Sequence, residues 1–156
     1  MNNSGFTLVE MMIAVGIAAV LASMAGYSFY GKNSGAFTTD KALFRDTLIR
    51  ARSMARGRVN CVVVRFDNDA HMMIVKAYEP SSGKDCTTVG TEQFSLPDVQ
   101  FSNNTTFSDV STGGDSLTFN TDGGLAENSV VTVTMSHLNN QTYAKIYPAI
   151  GQIRIY

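Results

Sequence analysis

The sequence is short of the residues that do chemistry. Its 156 residues include only two cysteines, Cys61 and Cys86, and two histidines, His71 and His137. Neither histidine has a second nitrogen, thiol or carboxylate at ligand spacing, so no zinc site is expected. Asp67 and Asp69 form a short acidic turn, without the further oxygen ligands and closing Glu of a calcium loop. They read as turn residues. No nucleophile elbow, P-loop or dinucleotide fingerprint occurs, and no internal repeat is evident. The expectation is a protein that is not an enzyme and needs neither cofactor nor metal. Net charge is scarce as well: 12 Lys and Arg against 13 Asp and Glu leave −1. That excludes a uniformly basic nucleic-acid binder. An apolar fraction of 44% excludes intrinsic disorder.

What is present is unevenly placed. Residues 11–31, MMIAVGIAAVLASMAGYSFYG, carry no charge. As a helix they would span roughly 32 Å at 1.5 Å per residue, against about 30 Å for the hydrocarbon core of a bilayer. One membrane-spanning helix is the expectation, and the absence of a second such run excludes a polytopic protein. Gly16 and Gly26 suit close packing between membrane helices. Glu10 does not suit a plain anchor. A carboxylate at the bilayer centre costs several kcal/mol and calls for a partner; nearer the interface it would snorkel instead. Residues 1–5 contain no Lys or Arg, which leaves the positive-inside bias to the chain's own amine.

Gly31-Lys32-Asn33-Ser34-Gly35 is a breaker cluster predicted to kink or melt the helix. Periodicity resumes near Thr38, where Thr38 or Thr39 can cap and Asp40 falls in the first turn. At 100° per residue, Phe37, Phe44, Leu48, Ala51 and Ala55 make one apolar stripe, predicted to pack on a sheet. Gly57 marks its end. Lys41, Arg45, Arg52 and Arg56 share a neighbouring face. Residues 32–65 carry +6 and residues 66–156 carry −6, with Glu10 left over. Three readings of the basic face stand: a solvated surface, a subunit contact in head-to-tail packing, and a nucleic-acid contact.

From residue 59 onward the signals are strands and turns. Residues 59–66 and 71–78 flank the turn Asp67-Asn68-Asp69-Ala70 as a hairpin. Residues 92–101 contain Pro97 and read as an edge or broken strand. Residues 102–115 are polar and turn-rich, read as a surface loop. Residues 116–120 form a short strand before Thr121-Asp122-Gly123-Gly124. Residues 130–135 and 142–147 flank Leu138-Asn139-Asn140-Gln141 as a second hairpin, and 152–156 make a last strand. Cys61 and Cys86 stand as a disulfide in an oxidising compartment or as two free thiols. Bonded, they would close a loop worth about 3–3.5 kcal/mol by chain entropy.

Gly5-Phe6-Thr7-Leu8-Val9-Glu10, followed at once by the apolar run, resembles the type IV prepilin signal. The resemblance implies that a prepilin peptidase cuts between Gly5 and Phe6 and methylates the new Phe6 amine. It also implies that Glu10 pairs with that amine, on its own helix or a neighbour's, and so sets subunit register. Such pairing would cancel two charges that are each costly to bury. Ala51-Arg52-Ser53-Met54-Ala55-Arg56, Leu117-Thr118-Phe119-Asn120 with Gly123 and Gly124, and Ile150-Gly151-Gln152-Ile153-Arg154 resemble FimT/GspH-type minor pilins and pseudopilins. Some of that group take up DNA through a C-terminal Gly-Arg-x-Arg pattern; here Gly151, Gln152, Ile153 and Arg154 align, with one of its two arginines.

The expected architecture is α+β, a pilin fold. Its parts would be a leader (1–5), a transmembrane and assembly helix (6–31), an amphipathic helix (32–57) and an antiparallel β-rich domain (58–156). The expected role is a structural subunit of a type IV pilus or type II secretion pseudopilus. It would wait in the bacterial inner membrane with its C-terminal domain in the periplasm. Its partners would be other pilin subunits, the prepilin peptidase and the inner-membrane assembly platform. Arg45, Arg52, Arg56 and Arg154 would be the nucleic-acid or subunit contacts. Two alternatives stand beside it: a filament-tip module that binds a ligand such as DNA, and a secreted β-domain whose signal peptide ends at Ser23-Met24-Ala25. N-terminal sequencing of the mature protein separates prepilin from signal peptide: Phe6 is the expected first residue, and Gly26 would establish the secreted form.

Overall fold

Among the described residues, helical and strand signals sort into one long helix followed by nine strands. The computed structural model describes residues 8–58, 60–82, 85–108 and 114–156, and for residues 23–34, 82 and 85 the backbone alone. Helix α1 runs Leu8–Arg58, 51 residues. Its backbone stays helical through the breaker cluster at 31–35. A glycine in a helix interior costs only about 1 kcal/mol, so flanking helical turns can carry the cluster without a break. The chain divides into two compact units, residues 1–36 and residues 37–156, at a boundary just past that cluster.

In the second unit the expected stripe is buried. Phe44, Leu48, Ala51 and Ala55 have no exposed surface, and Phe37 packs at its margin. The helix does not begin at Thr38, so neither threonine is needed as a cap there. Asp40, expected in a first turn, is instead a helix-interior residue and buried. Thr47 is buried too, its hydroxyl donating to the Leu43 carbonyl at 2.7 Å.

The strands form two antiparallel sheets. The first contains β1 (Cys61–Asp67), β2 (Met72–Ser82), β3 (Asp85–Ser95), β4 (Val99–Gln100) and β6 (Ser116–Phe119). Its order is β3-β2-β1-β6, with β4 also paired to β2. The second contains β5 (Thr105–Ser108), β7 (Val131–His137), β8 (Asn140–Ile146) and β9 (Ile153–Ile155), in the order β5-β7-β8-β9. The first hairpin's turn is shifted by one residue from its predicted bounds, while β1 starts two residues later and β2 ends four residues later than expected. His71 sits in the turn with φ 51°, and the Asp67 carboxylate caps that turn by accepting from the Ala70 N–H at 2.9 Å. In the second hairpin, His137 pairs with Asn140, so the loop is only Leu138-Asn139, with Leu138 at φ 53°.

Two stretches differ more. Residues 102–115 were expected to be loop throughout, yet β5 lies within them, with Thr105 and Phe107 buried. Four residues are too few for alternation to stand out from a polar background. Strand β3 was read only from residue 92 onward; residues 85–91 carried no signal, because that mostly exposed, Thr- and Gly-containing stretch has no apolar alternation. The break at Pro97 is as read: β3 ends at Ser95 and β4 resumes at Val99. Cys61, opening β1, is bonded to Cys86 on β3, with Cα atoms 5.5 Å apart.

The core joins the helix stripe to the inward faces of both sheets. These supply Val62, Val64 and Phe66 from β1, Leu117 and Phe119 from β6, and Val131, Val133 and Met135 from β7. Phe107 stands where they meet. Its ring lies 5.9 Å from Phe44, 5.2 Å from Phe66 and 5.1 Å from Phe101. Beyond β6, Leu125 bridges back to Phe119 and brings Glu127 against the sheet.

Burial raises the Glu127 carboxyl above its ordinary 4.5, against the opposing pull of hydrogen bonds from its own backbone N–H and that of Thr118. Its Oε2 is buried without a hydrogen-bond partner. A carboxyl with a raised folded-state pKa favours the fold below its unfolded pKa, and that contribution is lost as pH rises through the folded value. Glu127→Gln is therefore expected to raise the melting temperature at neutral pH. In thermal unfolding followed across pH, the advantage should vanish below about pH 4.

Candidate functional site

The first unit presents an apolar surface without a cover. Residues 8–22 are exposed all round α1, with Leu8 at 77% and Met12 at 68%. A helix that is apolar on every side is at rest only inside lipid or among other helices. Glu10 lies in the first helical turn and is exposed. Gly5 and Phe6 lie outside the described residues. Among the described residues no helix is long and apolar enough to cross a membrane. The expected span, 11–31, extends into residues 23–34, whose side chains are not described.

In the second unit the four arginines singled out from sequence go to different places. The Arg52 Nη2 donates to the Ile150 carbonyl at 2.8 Å, and its Nε is buried without a partner. The Arg56 stem lies on Gly123, where a Cβ would come within 2.4 Å of it; Gly123 has φ 82°. Gly151, at φ 59°, is closer still: its Cβ would collide with the Gly123 carbonyl. Arg52 and Arg56 thus hold the turns at 121–124 and 148–151 against α1. The Gly123 and Gly151 signals were visible in the sequence, but their mutual contact was not. Arg45 instead faces open space, on a cleft of about 420 Å³ that it shares with Lys41 and β9. Arg50 pairs with Asp46 at 2.8 Å, one turn away on the helix surface.

Arg154 lies on the outer face of the second sheet. Its guanidinium sits over the Tyr147 ring at 5.5 Å, and Lys145 lies 5.9 Å from the Tyr143 ring. Tyr143 and Tyr156 stack at 5.0 Å with an interplanar angle of 19°. Three tyrosines interleaved with two cations make an aromatic, basic face that sequence spacing did not reveal, because Tyr156 joins it only through the β8–β9 pairing.

The two histidines, isolated in sequence, converge on Thr105. His71 Nδ1 lies 2.8 Å from the Thr105 carbonyl, which can only accept, so that nitrogen carries a proton. The Thr105 hydroxyl donates to Asp40 Oδ2 at 2.5 Å and lies 2.9 Å from His137 Nδ1. One hydroxyl has one proton; with Asp40 taking it, the oxygen accepts from His137 Nδ1–H. Asp40 also accepts from the Ser102 backbone N–H at 3.3 Å and the Ser102 hydroxyl at 3.2 Å. Asp40, Thr105 and His137 are 2%, 0% and 3% exposed. No substrate reaches them, so the network ties α1 to the second sheet rather than performing catalysis. Among the described residues no group could hold a metal ion.

Residues 1–26 match the prokaryotic N-terminal methylation motif. No curated protein sequence matches the chain. In fold it is similar to the type IV minor pilin FimU of Pseudomonas aeruginosa in two crystal forms. The first match, in space group P65, has 16% identity and a TM-score of 0.58, over 76% of this chain and 91% of that one. The second, in space group P21, has 14% identity and a TM-score of 0.56, over 81% and 92%. The chain thus carries the methylation motif at its N-terminus and a fold like that of a type IV minor pilin beyond it.

Proposed function

We propose that this protein is a structural filament subunit, a minor pilin or pseudopilin of a type IV pilus or a type II secretion pseudopilus. One observation carries the reading. The methylation motif of residues 1–26 includes helical residues 8–22, apolar apart from Glu10 and exposed on every side, ahead of a separate compact unit. Such a helix needs lipid first and other helices later, which is the course of a subunit drawn from a membrane into a filament. In this reading a prepilin peptidase cuts between Gly5 and Phe6 and the Phe6 amine is methylated. Residues 11–31 then hold the chain in the inner membrane, with residues 37–156 in the periplasm.

Extraction by an assembly platform exchanges lipid contact for helix–helix contact. That exchange alone is nearly neutral, because lipid tails are as apolar as the side chains they leave. Pairing of Glu10 with a Phe6 amine would supply the missing preference, since each charge is costly in the apolar bundle without the other. The variant Glu10→Val should keep membrane insertion and lose most filament incorporation, read by fractionating membranes from sheared filaments. Unchanged incorporation would remove the charge pair from the mechanism.

A second reading, a ligand-binding subunit at the filament tip, is favoured by the face formed by Tyr143, Lys145, Tyr147, Arg154 and Tyr156. Base stacking on aromatic rings combined with backbone-tracking cations is the chemistry of single-strand nucleic-acid binding. A gel shift of the protein with single-stranded DNA should show retention that fades as salt rises and weakens in Arg154→Ala. No retention at low salt would eliminate this reading.

A further inference from the structure

The second sheet ends in an unpaired edge. Among the described residues strand β9 pairs with β8 alone. Tyr143 and Tyr156 exchange both N–H···O bonds across that pair, and the Tyr147 N–H donates to the Gln152 carbonyl at 3.0 Å. In an antiparallel ladder such pairs alternate. Gln152, Arg154 and Tyr156 therefore turn their backbone groups toward β8, while those of Ile153 and Ile155 point away from the sheet. Four backbone groups stand ready for another strand. Edges of this kind are normally blunted or covered.

Beside the edge lies the cleft against α1. Ile153 and Ile155 line it from the sheet, and Ala42, Ile49, Lys41 and Arg45 line it from the helix. Its volume, about 420 Å³, is within the range of ligand clefts. The isoleucines are half-buried, packed at the margin of the core, and Ile49 is 45% exposed. The floor is apolar and the surroundings are cationic on both sides of the strand. Lys41 and Arg45 stand on the helix side, and Arg154 and Lys145 on the outer face of the sheet. None of these four cations forms an ion pair with a described carboxylate.

We propose that the β9 edge is a docking site for an extended segment of a partner protein, added as a further strand, with apolar and acidic side chains in alternation. The strand period of two puts its apolar side chains on the face of Ile153 and Ile155, toward the cleft floor. Its carboxylates fall on the opposite face beside Arg154, or at its ends within reach of Lys41 and Arg45. Backbone pairing supplies attachment, and the cations supply the choice of sequence. A nucleic acid would use the cations but leave the edge N–H groups and the apolar floor unused. The inference stands whether or not the chain assembles into a filament.

The test uses the full chain in detergent micelles and a fluorescent, capped hexapeptide of alternating Val and Glu, followed by anisotropy. The acidic peptide should bind at least about tenfold more tightly than its Val-Lys counterpart, and more weakly as salt rises. N-methylation of the peptide's edge-facing amides should abolish binding. In the double variant Lys41→Glu with Arg45→Glu, the preference between the peptides should shift toward Val-Lys. These two residues lie on the cleft rim rather than in the core, so the fold should survive the change. Absence of binding, equal binding of both peptides, or indifference to N-methylation would overturn the proposal. So would concentration-dependent self-association that the acidic peptide displaces, since the edge would then belong to a second copy.

Discussion

The packing of Phe107 is the constraint on which the second unit turns. Its ring comes from β5, in one sheet, and rests on Phe66 of the other sheet and on Phe44 of α1. A single aromatic side chain thus fixes three elements that no local signal relates. Phe101, nearly edge-on at 82°, closes the remaining side. Around this point the helix stripe and the two inward sheet faces are buried together, and each large aromatic side chain buries more area than its aliphatic neighbours. The Asp40–Thr105–His137 network lies beside it. It places a buried carboxylate where three donors meet it, two from Ser102 and one from Thr105. Apolar packing is tolerant of small slips; a satisfied buried polar network is not. The two together set the helix on the sheets at one register.

The chain deals with its apolar surface in two ways. In residues 37–156 the stripe on α1 is covered by the protein itself. In residues 8–22 nothing in the described chain covers a helix that is apolar on every side. The same helix therefore carries a face that folding satisfies and a segment that only an outside environment can satisfy. That contrast is the physical basis of the assembly role proposed above.

Charge is divided as sharply. The excess of +6 in residues 32–65 is not a uniform surface. Arg52 and Arg56 serve the chain's own turns, meeting the Ile150 carbonyl and the Gly123 backbone. Arg50 is paired within the helix. Lys41 and Arg45 remain facing a cleft, and Arg154 and Lys145 join tyrosines on the outer sheet face. Which cation is structural and which is offered outward depends on where the C-terminal turns fold back, and α1 alone carries no trace of it.

Much of this was readable in advance. The processing motif, Glu10 and the apolar run are local and contiguous, so the sequence alone carried them. The helix stripe and both hairpins were legible because period and turn chemistry act over a few residues. Residues 85–91 of β3 and the four residues of β5 were not, since neither stretch carries enough apolar alternation of its own. Sequence also paired neither the two histidines with Thr105 nor Gly123 with Gly151. These contacts join residues far apart along the chain. Their energy appears only when the sheets close on α1, so tertiary structure alone decided them. The sequence by itself determined which stretches are apolar and which helix face is buried, because these signals are local; the fold decided which polar groups meet and which strand edge stays open.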